Sequence, residues 1–225
     1  MILHDISMTI EPGMAVYKER DEKKPRFSVS RDFSNSSVFE SRLDLDLHTG
    51  THVDMPLHML SEGASSDSWG LETFFTPSLL LDFSHLAGDR LTADDLQQKD
   101  NEAHAETSIF KPGMSVLLKT ANSFKEGFDY SFVFLEKSGA EYLAGKKVGG
   151  VGIDALGIER DQPGHDTHKT LMRAGAWILE GLQLAEVPQG LYTLAMFPLK
   201  ISGVEALPVR ALLLPPGFPI EPSAS

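Results

Sequence analysis

Between Leu43 and His58 the chain sets His48, His52, Asp54 and His58 on even positions and Leu43, Leu45 and Leu47 on odd ones. Side chains at i and i+2 of an extended chain share a face. The stretch therefore reads as a strand with a leucine face toward a core and a polar face of three imidazoles and one carboxylate. A straight strand advances roughly 3.3 Å per residue, which puts His48 too far from Asp54 for both to hold one ion. The chain must bend between them. Gly50 permits a bend or bulge, and Pro56 ends the strand so that His58 returns over the same place. Imidazole nitrogen and carboxylate oxygen are the usual ligands of zinc or manganese. The pattern assigns His48, His52 and Asp54 as metal ligands, with His58 beside them as a base. The competing reading is a polar strand face with scattered histidines.

The chain has no cysteine, so any bound metal is held by nitrogen and oxygen. Thirty-two acids against 20 Lys and Arg give a formal net charge of -12, a surface that argues against nucleic acid or an anionic membrane as partner. No apolar run reaches the length of a membrane span, and the start Met1-Ile2-Leu3-His4-Asp5 has neither a basic nor an apolar leader region. A cytoplasmic enzyme acting on a small molecule fits these features.

At 225 residues, 41% hydrophobic, the chain suits one domain with a substantial core. Apolar runs at 78–83, 115–120 and 148–154 read as strands, the last one opened by Gly149, Gly150 and Gly152 so that another backbone can come close. Thr92 with Asp95 marks a helix start, and Ser138 with Glu141 another. The alternation predicts an α/β domain over residues 1–214, a mixed sheet flanked by helices, with a Pro-rich extended tail at 215–225. The polar stretch 17–41 reads as a surface loop, with Phe27 and Phe33 as anchors. His85 reads as structural, and His104 as exposed.

A second informative stretch runs from Asp166 to Leu182. Asp166 or Thr167 caps a short helix that Gly175 ends, and Ala176 to Leu179 reads as a strand. On one continuous helix His168 and Glu180 would lie roughly 18 Å apart. Reversal at Gly175 brings Glu180 back toward His168. The carboxylate of Glu180 follows an apolar run, and a buried unpaired carboxylate is costly. A capping-region His and a strand-end Glu are the plainer readings of this pair.

The run His48-Thr49-Gly50-Thr51-His52-Val53-Asp54-Met55-Pro56-Leu57-His58 resembles the HxGTHxDxPxH signature of the metal-dependent cyclase superfamily, which includes bacterial kynurenine formamidases and isatin hydrolases, at every fixed position. The likeness extends from about Leu3 to Leu214, through Asp5-Ile6-Ser7, the HxxL…E stretch at His168 and Glu180, and Phe197-Pro198-Leu199-Lys200-Ile201. It implies a swivelling β/β/α fold, a metal held by His48, His52, Asp54, His168 and Glu180, His58 as acid and base, and a homodimer with pockets near the subunit contact. The chain departs from many formamidases after Gly152-Ile153-Asp154, where Ala155-Leu156-Gly157-Ile158-Glu159 follows, and it has Lys119-Thr120 where relatives often have Arg-Thr.

The resemblance implies one or two divalent ions, Zn²⁺ or Mn²⁺, that make water acidic near neutral pH. The expected reaction is hydrolysis of an amide C–N bond in a small aryl formamide or cyclic amide, with His58 carrying the proton to the leaving nitrogen. Lactone hydrolysis and a dehydrating cyclisation are the alternatives on the same site. A metal-binding scaffold without turnover is the alternative of another class, and an intact His58 argues against it.

Overall fold

The computed structural model describes residues 3–103 and 107–216. His104 and residues 217–225 of the tail lie outside the described residues. Twelve strands form in chain order: β1 (His4–Asp5), β2 (Arg26–Arg31), β3 (Glu40–Asp44), β4 (His52–Asp54), β5 (Phe75–Asp82), β6 (Arg90–Leu91), β7 (Ser115–Lys119), β8 (Phe134–Leu135), β9 (Gly150–Ile153), β10 (Trp177–Glu180), β11 (Gly190–Pro198) and β12 (Ala206–Leu214). The helices are α1 (Ala93–Glu102), α2 (Lys137–Gly145) and α3 (Asp166–Arg173).

The sheet is mixed, as the sequence predicts. Strands β5, β7, β9 and β10 run parallel as neighbours, and β11, β12 and β4 add antiparallel pairs. It is not an open sheet flanked by helices, because its two ends join. The start of β12 pairs with β4, Ala206 opposite Asp54 and Pro208 opposite His52, while the other edge of β4 pairs with β10. Seven strands thus close into a barrel, with β1 added beyond the ring on β12. Three residues of β4, paired on both edges, are what seals it. Among the described residues no helix is long and apolar enough to cross a membrane.

Strand alternation separates two cores. Leu80, Leu117, Leu179, Leu194 and Val53 point into the barrel, while Leu79, Leu81, Val116, Leu118, Val151 and Ile153 meet Leu96, Leu143 and Leu171 from the helices. The glycines of β9 serve the inner core. A Cβ on Gly150 would overlap the Trp177 ring at 2.0 Å, and one on Gly152 would sit 2.6 Å from Leu117 Cδ2. Only Gly149 admits another backbone, that of Gly113, where a Cβ would lie 2.6 Å from its carbonyl oxygen. The close-approach reading of this strand therefore holds at one glycine, and the other two make room for side chains.

Local expectations fared unevenly. Thr92 and Asp95 form the full reciprocal cap of α1. For α2 the cap is Glu136, which accepts from the Ser138 amide, and the chain is already helical at Ser138. For α3 the cap position is His165 in a left-handed conformation, so neither Asp166 nor Thr167 caps it. Residues 17–41 are not all loop, since β2 and β3 pair as a hairpin. Leu43 belongs to that hairpin and is 47% exposed, so the leucine face predicted opposite the histidines does not exist. Phe27 and Phe33 are exposed, and Phe33 lies beside the likewise exposed Phe39 with centroids 6.2 Å apart, so neither is a buried anchor.

Asp100 ties α1 to α2 and to the segment after it. Its oxygens accept from Ser108 Oγ (2.7 Å), the Ile109 amide (2.7 Å), Lys146 Nζ (2.9 Å) and Tyr142 Oη (3.0 Å). Burial opposes its ionisation, but these donors outweigh it and lower its pKa from 3.8 to about 2. A depressed carboxyl pKa stabilises the fold above the unfolded value and loses that contribution as pH falls through the folded one. Asp100→Asn should therefore cost about 1–2 kcal/mol at pH 7 and little at pH 2, read from urea unfolding at both. Equal losses at the two pH values would assign the effect to packing instead.

Candidate metal centre

Because Val53 points into the barrel, His52 and Asp54 on either side of it point out. Register then sets Glu180 opposite His52 on β10. His52 Nε2 lies 3.5 Å from Glu180 Oε2 and 3.4 Å from Asp54 Oδ1. The bend expected at Gly50 is present, with φ +70°, and it abuts Gly181 at φ +72°. A Cβ on Gly181 would lie 2.5 Å from the Gly50 carbonyl oxygen, so the loop before β4 reaches the end of β10 only because Gly181 lacks a side chain, while one on Gly50 would meet Ile10 Cδ1 at 2.5 Å. Thr51 pins this crossing, donating to the Gly181 carbonyl at 2.6 Å and accepting from the Met8 amide at 2.8 Å.

The bend returns His48 to the cluster, where its Nδ1 lies 3.0 Å from Asp54 Oδ1. Pro56 opens a single 3₁₀ turn that ends in His58, whose ring lies 4.1 Å from that of His48 and 5.8 Å from that of His168, centroid to centroid. From the other half of the chain, α3 presents His168 on its first turn. Its Nε2 stands 3.4 Å from Glu180 Oε1 and 3.7 Å from Asp54 Oδ2. The reversal at Gly175, φ +81°, brings Glu180 back as the sequence suggests. All six predicted site residues converge.

Two rings are oriented by their other nitrogen. His52 Nδ1 is 2.9 Å from the Gly50 carbonyl oxygen, which assigns the proton to Nδ1 and leaves Nε2 with a free lone pair. His168 Nδ1 is 2.6 Å from Glu159 Oε1, with the same consequence. Such partners fix the tautomer of a metal-binding imidazole and raise its basicity. Glu159 is buried and also accepts from the Thr167 amide at 3.1 Å. The sequence reading passed over it as part of a divergent stretch. Its signal was an acid placed directly after Gly157-Ile158, and Ile158 is itself fully buried. His165, at 3.3 Å from Glu159 Oε1 with its side chain 40% exposed, stands behind His168 and outside the cluster around Asp54.

The electrostatics call for a cation. Burial opposes charge on Asp54, but contact with His168 and His48 and the field of His52 hold its pKa well below the ordinary range. Burial likewise opposes charge on His168 and His48, yet the carboxylates outweigh it and raise both, His168 strongly. Even so, His52 Nε2 and both Asp54 oxygens are buried with no hydrogen-bond partner. Buried polar atoms left this way are expensive, and a divalent ion satisfies all three at once. Among the described residues three sets of donor atoms lie within 4.8 Å of one another: His48–Asp54–His58 and His52–Asp54–Glu180 share Asp54, and Glu159–His165–His168 stands behind them. That donor chemistry fits one ion or two. His58 goes the other way from its neighbours, since burial lowers its pKa and keeps it neutral, able to accept a proton.

A cavity of about 230 Å³ opens above these groups. It is lined by Tyr17, Met59, Leu156 and Gly157, by Lys18, Arg20 and Lys23, and by Asp161 besides the cluster itself. The divergent stretch after Asp154 thus forms one wall of the site and also clamps it, because the Ile158 amide donates to Glu180 Oε1 at 2.6 Å. If Glu159 sets the His168 ring, Glu159→Ala should weaken metal binding about 10–100-fold, measured by competition with a chelator. Unchanged affinity would make Glu159 a packing residue.

Known proteins resemble this chain along nearly its whole length. A family model described as putative cyclase matches residues 4–160. The chain is similar to a kynurenine formamidase of Salinibacter ruber, 35% identical over 214 residues, which are 95% of this chain and 97% of the relative. It resembles a solved structure described as a potential metal-dependent hydrolase with cyclase activity, 44% identical with a TM-score of 0.82, over 94% of this chain and 96% of that one. Isatin hydrolase A of Ralstonia solanacearum shares the fold at a TM-score of 0.80 and 22% identity, over 94% of this chain and 91% of that one. With a signature complete at every fixed position and relatives matched along nearly its whole length, the chain belongs to the putative cyclase family, the metal-dependent cyclases.

Proposed function

We propose that the protein is a metal-dependent hydrolase that cleaves the amide C–N bond of a small aryl formamide or cyclic amide. The observation that carries this reading is the buried, hydrogen-bond-deficient carboxylate of Asp54 among His48, His52, His168 and Glu180, with a neutral His58 beside it. His48, His52, Asp54, His168 and Glu180 would hold the divalent ion, zinc or manganese, which when bound supplies Lewis acidity toward a carbonyl and makes water acidic near neutral pH. His58 takes the proton of the attacking water as the water oxygen bonds to the carbonyl carbon. It then gives that proton to the nitrogen as the C–N bond breaks, leaving an acid and an amine. Glu159 and the Gly50 carbonyl keep the His168 and His52 rings turned with Nε2 toward the cluster. Tyr17, Met59 and Leu156 give the substrate an apolar wall.

The assembly proposed for this activity is a homodimer. The hairpin of β2 and β3 has no buried residue, and it exposes Phe27, Val29, Val38, Phe39 (56%) and Phe33 (76%). A lone two-stranded hairpin is marginal in water, and a contiguous apolar patch of this kind marks an interaction surface. The hairpin leads through Asp44 directly into the loop of His48, which sets the contact beside the site. Replacing Phe33 and Phe39 together by Ser should move the protein toward monomer in light scattering after gel filtration, while an unchanged mass would remove the hairpin from the contact.

The functional test pairs metal analysis with a hydrolysis screen of formanilide, N-formylkynurenine, isatin and simple lactones. His58→Ala should lower kcat by about 10²–10⁴-fold with metal content retained, whereas His52→Ala should lose both. Full activity in His58→Ala would end its role as the base. Lactone turnover without amide turnover would move the leaving atom from nitrogen to oxygen.

A further inference from the structure

Three cations, Lys18, Arg20 and Lys23, line the site cavity beside the carboxylates of Glu159, Asp161 and Glu180, although the chain as a whole carries a net charge of -12. All three cations come from one short strap, residues 17–23. That strap is pinned at both ends across the two halves of the site. Lys18 Nζ pairs with Asp161 at 2.7 Å on one flank. On the other, Lys23 Nζ pairs with Asp46 at 3.1 Å, and the Lys23 carbonyl accepts from Thr49 Oγ1 at 2.7 Å. Tyr130 adds a bond to the Lys18 carbonyl at 3.3 Å.

Between its pins the strap is strained. Lys18 and Glu19 are consecutive non-glycine residues with φ of 55° and 52°, a left-handed conformation that side chains disfavour. Asp161, the partner of Lys18, is also left-handed at φ 36°. Strain of this kind persists only where surrounding contacts impose it, and it gathers at sites of function. Here the strained pair leads directly into Arg20, which lines the cavity.

Of the three cations, Lys18 and Lys23 are already neutralised by their acids. Arg20 has no carboxylate within ion-pair distance among the described residues, and it lines the same cavity as the apolar wall of Tyr17, Met59 and Leu156. The Tyr17 ring is braced edge-on by Phe128, with centroids 5.2 Å apart. An apolar wall with a guanidinium at its open end matches a planar ring that carries a carboxylate, since guanidinium and carboxylate pair through two parallel hydrogen bonds. The volume, about 230 Å³, is below that of a drug-sized pocket of roughly 300–1,000 Å³, so the ligand is small.

We infer that Arg20 anchors a substrate carboxylate, and that the preferred substrates are small aromatic amides bearing an anionic group. This rests on the hydrolase reading above for the reaction, and on the cavity alone for binding.

The metal-loaded protein is tested in two ways. In turnover, 2- and 4-formamidobenzoate are compared with formanilide. The better of the two anions should exceed the neutral substrate at least about 10-fold in kcat/KM. Arg20→Gln should collapse that ratio at least about 10-fold, mainly through KM, Arg20→Lys should keep part of it, and Lys111→Gln, an exposed charge at the far end of the barrel, should leave it unchanged. A ratio that stays within about twofold in Arg20→Gln overturns the proposal. In binding, calorimetry compares 4-aminobenzoate with aniline, which decides the matter even if no amide is hydrolysed. Tighter binding of the anion that Arg20→Gln abolishes supports the anchor. Binding of the anion that Arg20→Gln leaves intact, equal binding of the two, or no binding of either overturns it.

Discussion

Asp54 is fully buried, and neither of its oxygens has a hydrogen-bond partner. A carboxylate in that state cannot be afforded by a marginally stable fold unless positive charge comes to it. Much of the surrounding structure follows from this demand. Three imidazoles approach within 3.7 Å, one from the bend before β4, one from β4 itself and one from α3. Their outer nitrogens are turned away and occupied where turning matters, by a carbonyl at His52 and by Glu159 at His168. The cluster is therefore organised to present electron pairs inward, and burial lowers the pKa of His58 beside it.

The barrel makes this arrangement rigid by dividing labour between residue parities. Odd positions of β4 and β10 fill the barrel with Val53, Trp177 and Leu179, and even positions turn His52, Asp54 and Glu180 outward. A one-residue slip in either strand would exchange a core side chain for a ligand. The parallel strands β9 and β10 end at the site, so the segments that follow them border it: Leu156, Gly157 and Glu159 after β9 line its cavity, and Gly181 after β10 backs the bend at Gly50. Loops at strand ends vary more easily than the strands do, which is where this chain departs from many formamidases while keeping the residues proposed as ligands.

What was legible in the sequence was local. Even spacing from His48 to His58, the bend at Gly50, the cap at Thr92 and the reversal at Gly175 are all properties of a few neighbouring residues, and each is present. Barrel closure was not legible, because it depends on Asp54 meeting Ala206 and no local pattern encodes such a pairing. The hairpin was missed because its residues 32–39 contain no Asn-Gly or Asp-Gly turn and its exposed apolar side chains show no core face. Lys119 stands where relatives often have Arg, and its ammonium reaches the carbonyls of Ala185 at 2.9 Å and Val187 at 3.1 Å. A point charge serves that purpose, and no bidentate fork is needed there.

The pairing of β12 with β4 also sets an order on synthesis. His48, His52 and Asp54 emerge early, but the strand that fixes one edge of β4 begins only at Ala206, and the partners on its other edge lie at Ile178 to Glu180. A nascent chain thus carries three metal-ready side chains for most of its length without the frame that brings them together. Contacts so distant in sequence form late and slowly. The site consequently stays unframed until Ala206 and the residues after it have been made, and a ribosome that stops short of residue 206 releases a chain with His48, His52 and Asp54 and no seam to hold them.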